Sequence, residues 1–161
     1  MSGWGMSDYR AAGVPVMAEV LRNTPPAFLL ANNRALYLDE FTPQESEASP
    51  VGLLAADVRT LQDNFVPFWG PIWVPGHRIA AGDAGIETFA AGTYINQGPG
   101  TVEIAGRMVQ PGGTIVLDQG VHPVVAGANA TLSLAIEAPA ESPPARPIFG
   151  GFLWRYLSKP E

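Results

Sequence analysis

The sequence predicts an α+β fold, with a small helix-containing N-terminal cap followed by an antiparallel β-sandwich. The 18 glycines and 16 prolines among 161 residues require frequent turns, which is typical of β-rich folds. Helical hydrophobic periodicity is found before residue 66, and short runs with a two-residue period follow it. We therefore predict a cap over residues 1–65, a β-sandwich over 66–138, and a proline-rich arm with an aromatic C-terminal segment over 139–161.

The first element of the cap is an amphipathic helix predicted over residues 15–22. Its apolar residues form one helical stripe: Val16, Met17, Val20 and Leu21. Pro25 and Pro26 end this helix, because neither can donate the backbone hydrogen bond that another turn needs. Residues 27–31 are then predicted to form a short buried strand.

A second amphipathic helix is predicted over residues 53–65. Its apolar residues recur at spacings of three and four: Leu54, Val58, Leu61 and Phe65. Residues 41–50, which precede it, are mostly polar and are predicted to form an exposed loop.

The sandwich is predicted from the pattern after residue 65. Residues 66–79 contain two tryptophans and three prolines, so this segment is extended rather than helical. Strands are predicted where polar and apolar residues alternate between glycine-rich turns, over residues 86–89, 101–104, 114–117, 122–125 and 131–136.

Charge and composition exclude several classes of function. The net charge of −6 and only 9 lysines and arginines argue against binding to nucleic acid or to an anionic membrane surface. No window approaches 18 consecutive apolar residues, and the N-terminus lacks the basic and apolar regions of a signal peptide, which predicts a soluble chain without an export address. The absence of cysteine excludes thiol catalysis, zinc ribbons and disulfides.

The sequence predicts no catalytic residue, no metal site and no cofactor. His77 and His122 are far apart, and neither has a second histidine or a carboxylate at metal-ligand spacing. No glycine-rich segment has the form of a phosphate loop, and no serine occupies a nucleophile elbow. The carboxylates are scattered singly along the chain, which leaves open whether a pair converges in space.

One cluster of aromatic residues suggests a binding site. Trp69 and Trp73 are accompanied by polar neighbours that could hydrogen-bond a sugar while its ring stacks on the indoles: Asn64, His77 and Arg78. These five residues are the predicted glycan-binding patch. The alternative interpretation is that the aromatic rings fill the seam between the cap and the sandwich.

A series of short motifs runs through both halves of the chain. The cap side contains residues 7–10 (SDYR), 25–32 (PPAFLLAN), 61–65 (LQDNF) and 69–76 (WGPIWVPG). In this order they resemble the soluble extracytoplasmic C-terminal domain of bacterial membrane glycosyltransferases of the dolichyl-phosphate-mannose-protein mannosyltransferase type. The β part, residues 92–94, 102–107 and 111–122, is similar to the small β-sandwich of the same region and also resembles PEGA-type modules.

The resemblance implies a non-catalytic accessory domain on the periplasmic side of the inner membrane. Such a domain would position an acceptor or a lipid-linked sugar for a membrane-embedded transferase part. No catalytic residue is carried over, because the matching segments include neither the membrane helices nor the acidic loop residues of those enzymes.

Two other classes of function remain open from the sequence. In one, the chain is an interaction or structural module whose C-terminal aromatic residues, within 149–156, pack on another protein. In the other, it is a glycan hydrolase, which would require two carboxylates either about 5 Å or about 6.5–9.5 Å apart.

Overall fold

Short helices at the N-terminus precede two antiparallel sheets that pack together as a β-sandwich, which confirms the predicted α+β class. The structure, a computed structural model, describes residues 6–31, 38–39, 42–48 and 53–141. The predicted aromatic C-terminal segment and the arm beyond Glu141 lie outside the described residues.

The cap contains the following helices and one short strand: α1 (Met6–Ala12), α2 (Met17–Asn23), β1 (Leu29–Leu30), α3 (Pro43–Ala48) and α4 (Ala55–Asn64). Helices α2 and α4 confirm the two amphipathic segments, and β1 is a shortened form of the strand predicted over 27–31. The prediction of a loop over residues 41–50 is wrong for Pro43–Ala48, which form α3. Because α3 (PQESEA) has no apolar stripe, hydrophobic periodicity could not reveal it.

A buried carboxylate links helices α1, α2 and α4 of the cap through hydrogen bonds. Asp57, in α4, is 1% exposed and accepts backbone hydrogen bonds from Val16 (3.0 Å) and Met17 (2.8 Å) at the start of α2. It also accepts a hydrogen bond from the Tyr9 hydroxyl in α1. The Tyr9 oxygen in turn accepts a hydrogen bond from the backbone N–H of Leu54 at 2.8 Å. Burial, followed by the bond to Asp57, raises the pKa of Tyr9 to about 12. The network satisfies N–H groups that a helix start leaves unpaired.

In the described residues, nine strands follow α4. They are β2 (Phe65–Trp69), β3 (Ile72–Ile79), β4 (Gly85–Thr88), β5 (Gly92–Asn96), β6 (Val102–Ile104), β7 (Arg107–Val109), β8 (Thr114–Leu117), β9 (Gly120–Ala126) and β10 (Ala130–Leu134). One sheet has the order β1-β3-β10-β5-β8, with β2 also paired to β3, and the other has the order β4-β9-β6-β7.

The strand pairs of the sandwich are nested. Strand β3 pairs with β10, β4 with β9, β5 with β8 and β6 with β7, so a long hairpin is rolled into two facing sheets. This nesting defines a jelly roll. The sandwich core contains, among others, Tyr94, Val102, Ile104 and Leu132.

Strand β3 joins the cap to the sandwich. Its first residues pair with β1 and β2, whereas Gly76 to Ile79 pair with β10. A second group of buried residues, here called the cap core, packs beside this strand and draws on both parts of the chain; it includes Leu21, Leu61, Phe65, Trp73 and Phe89. The helices therefore share buried apolar surface with β2, β3 and the residue that follows β4.

Candidate functional site

A polar cleft lies where the end of α4 meets β3 and β4. Its volume is about 340 Å³, and it is lined by Asp63, Asn64, His77, Arg78, Asp83, Gly85, Ile86 and Glu87. Three of the five residues predicted to contact a glycan, namely Asn64, His77 and Arg78, are thus brought together in one cleft. The helix ends directly before β2, which places its last two residues beside the β2–β3 hairpin.

The other two predicted residues do not line this cleft. Trp73 is 1% exposed and belongs to the cap core, and Trp69 is 9% exposed with its indole N–H donated to the Glu141 carbonyl at 3.1 Å. A sugar stacks only on a ring face that solvent can reach. The stacking role predicted for the two tryptophans is therefore corrected, because Trp73 packs in the seam between cap and sandwich and Trp69 is covered by the chain.

His77 is the most deeply buried polar residue of the cleft lining. It is 5% exposed, and its Nδ1 lies 3.0 Å from the backbone carbonyl of Asp63. Because a carbonyl can only accept, Nδ1 carries the proton of this hydrogen bond. Burial lowers the pKa of His77 to about 4, so the ring is neutral at pH 7 and its Nε2 is a hydrogen-bond acceptor. In the described part of the chain, Nε2 has no hydrogen-bond partner.

The amide and the guanidinium of the cleft are held by their neighbours. Asn64 donates from Nδ2 to the Thr60 carbonyl at 2.8 Å, which leaves Oδ1 as an acceptor toward a ligand. The Arg78 guanidinium lies 5.6 Å from the centre of the Trp73 ring and 3.4 Å from the Gln62 carbonyl. The guanidinium of Arg78 thus packs against the buried ring of Trp73, and Trp73 itself is not accessible to a ligand.

Three carboxylates line the cleft, and they differ in the hydrogen bonds that they accept. Both oxygens of Glu87 accept hydrogen bonds from Arg22, at 2.8 and 3.0 Å, and these bonds lower the pKa of Glu87. Oδ2 of Asp83 accepts the backbone N–H of Ala80 at 2.8 Å. Partial burial raises the pKa of Asp63, against the opposing effect of Arg59. In the described part of the chain, Asp63 is the one of these three carboxylates that accepts no hydrogen bond.

The grouping of these carboxylates was not predicted from the sequence. Asp63 is twenty residues from Asp83, and both line one cleft because the β2–β3 hairpin brings the end of β3 back to the end of α4, just before the turn that contains Asp83. The sequence signal for this grouping was that two predicted extended segments, 66–79 and 86–89, are joined by a short segment that contains Asp83. That pattern does not specify which side chains share a face.

The described residues contain no metal centre. No group of three or more histidine, aspartate or glutamate side chains within them is arranged to hold a metal ion. His122 lies outside the cleft lining, with its Nε2 2.8 Å from the Asp118 carbonyl. The cleft side chains can provide hydrogen bonds to a ligand, both as donors and as acceptors.

A different cavity, of about 160 Å³, lies inside the cap. Its lining is apolar: Met17, Leu29, Leu30, Ala31, Leu38, Leu53, Leu61 and Trp73. It offers no polar group to orient a ligand, so the polar cleft is the better candidate for a specific binding site.

No protein-family model matches the chain, and no curated protein or solved structure matches it either. Among the described helices, none has the length and hydrophobicity that crossing a lipid bilayer requires. The function must therefore be argued from the cleft itself.

Proposed function

We propose that this chain is a non-catalytic module that binds a glycan in the polar cleft, as an accessory domain of a membrane glycosyltransferase would. The observation that carries the proposal is the combination of a buried, neutral histidine with an amide, a guanidinium and carboxylates around one small cleft. Its setting in a membrane enzyme of the periplasm rests on the motif resemblance alone.

Both size and chemistry favour a sugar. A volume of about 340 Å³ is at the small end of the range for ligand pockets, roughly 300–1,000 Å³. Each sugar hydroxyl can donate one hydrogen bond and accept up to two. Hydroxyls could therefore donate to His77 Nε2 and Asn64 Oδ1 while others accept from Arg78.

The charge of the cleft indicates which part of a lipid-linked sugar would enter it. Glu87 is paired with Arg22, so the lining retains two other carboxylates, Asp63 and Asp83, against one cation, Arg78. A phosphate placed there would be repelled by the carboxylates. We therefore infer that the sugar, and not the phosphate of a lipid carrier, occupies the cleft.

Binding can be tested by titrating the full chain with methyl glycosides of neutral hexoses while recording tryptophan fluorescence and heat. Arg78 lies over Trp73, so a ligand that contacts Arg78 should change the emission of that tryptophan. Arg78→Gln removes a charged donor and should weaken binding by about ten- to a hundredfold. Arg107→Gln makes the same change on the exposed β7, away from the cleft, and should leave affinity unchanged.

The absence of saturable binding by any hexose would overturn the proposal. Equal weakening by Arg78→Gln and Arg107→Gln would also count against it, since binding would then follow overall charge rather than the cleft.

A second candidate function is glycan hydrolysis. It is favoured by the opposite pKa directions of Asp63, raised by burial, and Glu87, lowered by Arg22, because such divergence separates an acid from a base. Against it, both oxygens of Glu87 are already engaged by Arg22. Turnover of aryl glycosides that is lost in Asp63→Asn would establish hydrolysis, whereas binding without turnover would support the non-catalytic module.

A further inference from the structure

The hydrogen-bonding groups of the cleft are unequally divided between acceptors and donors. The acceptors are the carboxylate of Asp63, the second oxygen of Asp83, Oδ1 of Asn64 and Nε2 of His77, while Arg78 alone contributes charged donors. Glu87 is not available, because Arg22 holds both of its oxygens. A ligand that fits must therefore donate more hydrogen bonds than it accepts.

His77 adds an observation that is independent of the acidic residues. The residue is 5% exposed, it lines the cleft, and its Nδ1 donates to the Asp63 carbonyl. Nε2 is the ring nitrogen left without a partner in the described chain. Among the described residues, the buried side-chain atoms without a partner are Thr88 Oγ1 and Ser133 Oγ, so Nε2 is accessible from the cleft and can accept a hydrogen bond from a ligand.

A protonated amine meets both requirements. An ammonium group has three donors and no acceptor, and its hydrogen bonds to a carboxylate are roughly twice as strong as those between neutral groups. Within the described chain, the carboxylate of Asp63 accepts no hydrogen bond, whereas Asp83 and Glu87 do, and Asp63 belongs to the same α4 end whose carbonyl positions His77. An ammonium between Asp63 and His77 would pair with a charge and fill the vacant acceptor.

We propose that the ligand of the cleft is an amino sugar with an unacetylated, protonated amine. The amine is held by Asp63 and His77, and the hydroxyls are held by Asn64, Asp83 and Arg78. This inference rests on the proposed glycan-binding function and specifies the class of sugar.

The test compares sugars that differ at one position. Glucosamine, N-acetylglucosamine, glucose and glucose 6-phosphate are titrated into the full chain at slightly acidic pH, where the amine is protonated, and binding is followed by calorimetry and by backbone amide shifts. We expect glucosamine to bind about tenfold more tightly than glucose or N-acetylglucosamine, and glucose 6-phosphate to bind most weakly.

Two matched variants assign the effect to the cleft. Asp63→Asn keeps the shape of the side chain and removes its charge, so the preference for glucosamine over glucose should disappear. Asp118→Asn makes the same change in the exposed β8–β9 turn and should alter neither affinity.

The outcomes separate the two proposals. If glucose and N-acetylglucosamine bind as tightly as glucosamine, the amine inference falls and the glycan-binding function stands. If no sugar binds, both fall. If Nα-acetyl-lysine methylamide, which keeps its ε-ammonium group, binds as tightly as glucosamine, the cleft recognises an ammonium group alone, as on the side chain of a protein partner, and the assignment to a sugar is overturned.

Discussion

The chemistry of the cleft depends on a histidine that the fold keeps neutral. His77 is surrounded by protein and hydrogen-bonded to the carbonyl of Asp63, and burial lowers its pKa to about 4 from the ordinary value of 6.5. Below pH 6.5 the unfolded chain therefore binds a proton at this position more readily than the folded chain does. Stability should fall as the pH falls from 6.5 to 4, and the loss from this group should level off below that.

The size of this effect follows from the two pKa values. Protonation of the buried ring costs the folded state roughly 3 kcal/mol in total. Urea unfolding curves measured from pH 7 to pH 4 for the native chain and for His77→Gln should diverge by about this amount. Glutamine can still donate to the Asp63 carbonyl but does not titrate. Because the two chains have the same carboxylates, these contribute equally to both curves, and the difference between the curves reports the protonation of His77. Parallel curves would show that the ring is not held neutral.

Among the individual elements, the helices show which sequence signals are sufficient to predict a helix. Helices α2 and α4 bury residues at helical spacing, such as Leu21, Val58 and Leu61, and periodicity predicts them. Helix α3 buries no such stripe, but Thr42 and Glu45 form a reciprocal capping box: the Thr42 N–H donates to Glu45 Oε2 at 2.8 Å, and the Glu45 N–H donates to Thr42 Oγ1 at 3.2 Å. With Pro43 at the first helical position, the TPQE motif was the available signal.

The strands were predicted where one face is buried and the other exposed. Strand β8 alternates in burial along its length, and so does β6, which matches the two-residue period of their sequences. In β7 two neighbouring residues, Arg107 and Met108, are both exposed, and β5 contains a buried Asn96, so neither strand has a clear alternation of polarity. Pairing partners, and therefore the cleft, depend on long-range nesting that no local pattern encodes.

Gly76, in β3, lies where the paired strand β10 leaves no room for a side chain. A Cβ atom added to Gly76 would lie 2.3 Å from the Leu132 carbonyl oxygen and 2.6 Å from Cγ2 of Val66. The carbonyl belongs to the paired backbone of β10 and cannot move without disturbing the sheet. Gly76→Ala should therefore lower the free energy of unfolding by about 3 kcal/mol.

Gly127 provides the matched control for this substitution. It lies in the turn between β9 and β10, where an added Cβ meets no atom within 4 Å. Gly127→Ala should change the urea midpoint little, or raise it slightly by restricting the unfolded chain. Equal midpoints for the two variants would contradict the close packing of β3 on β10.

At the scale of the whole molecule, the cap and the sandwich meet in a shared core. Leu21 and Leu61 come from the helices, whereas Trp73 and Phe89 come from the sandwich side of residue 65. An ion pair between Arg22 and Glu87 and the bond from Gln119 to the Arg22 carbonyl, at 2.6 Å, join the same two parts at the surface. The surface contacts add little, because exposed ion pairs contribute weakly, so the apolar core accounts for most of the coupling.

This shared core predicts that the sandwich does not fold by itself. A fragment of residues 66–141 would expose Trp73 and Phe89, each of which buries roughly 150–250 Å² when covered. At about 25 cal/mol per Å², the loss for the two rings approaches the stability of a small domain. We expect the fragment to bind a hydrophobic dye and to lack a cooperative thermal transition.

A substitution in the full chain tests the same coupling without removing any segment. Leu61→Ala leaves a cavity in the cap core and should cost about 2–5 kcal/mol. Amide exchange of slowly exchanging groups in β5 and β10, far from the substitution in sequence, should accelerate by the same factor as exchange in α4, because one unfolding event exposes both. If only α4 accelerated, the helices would unfold separately from the sandwich, and the cleft between them would then open without loss of the jelly roll.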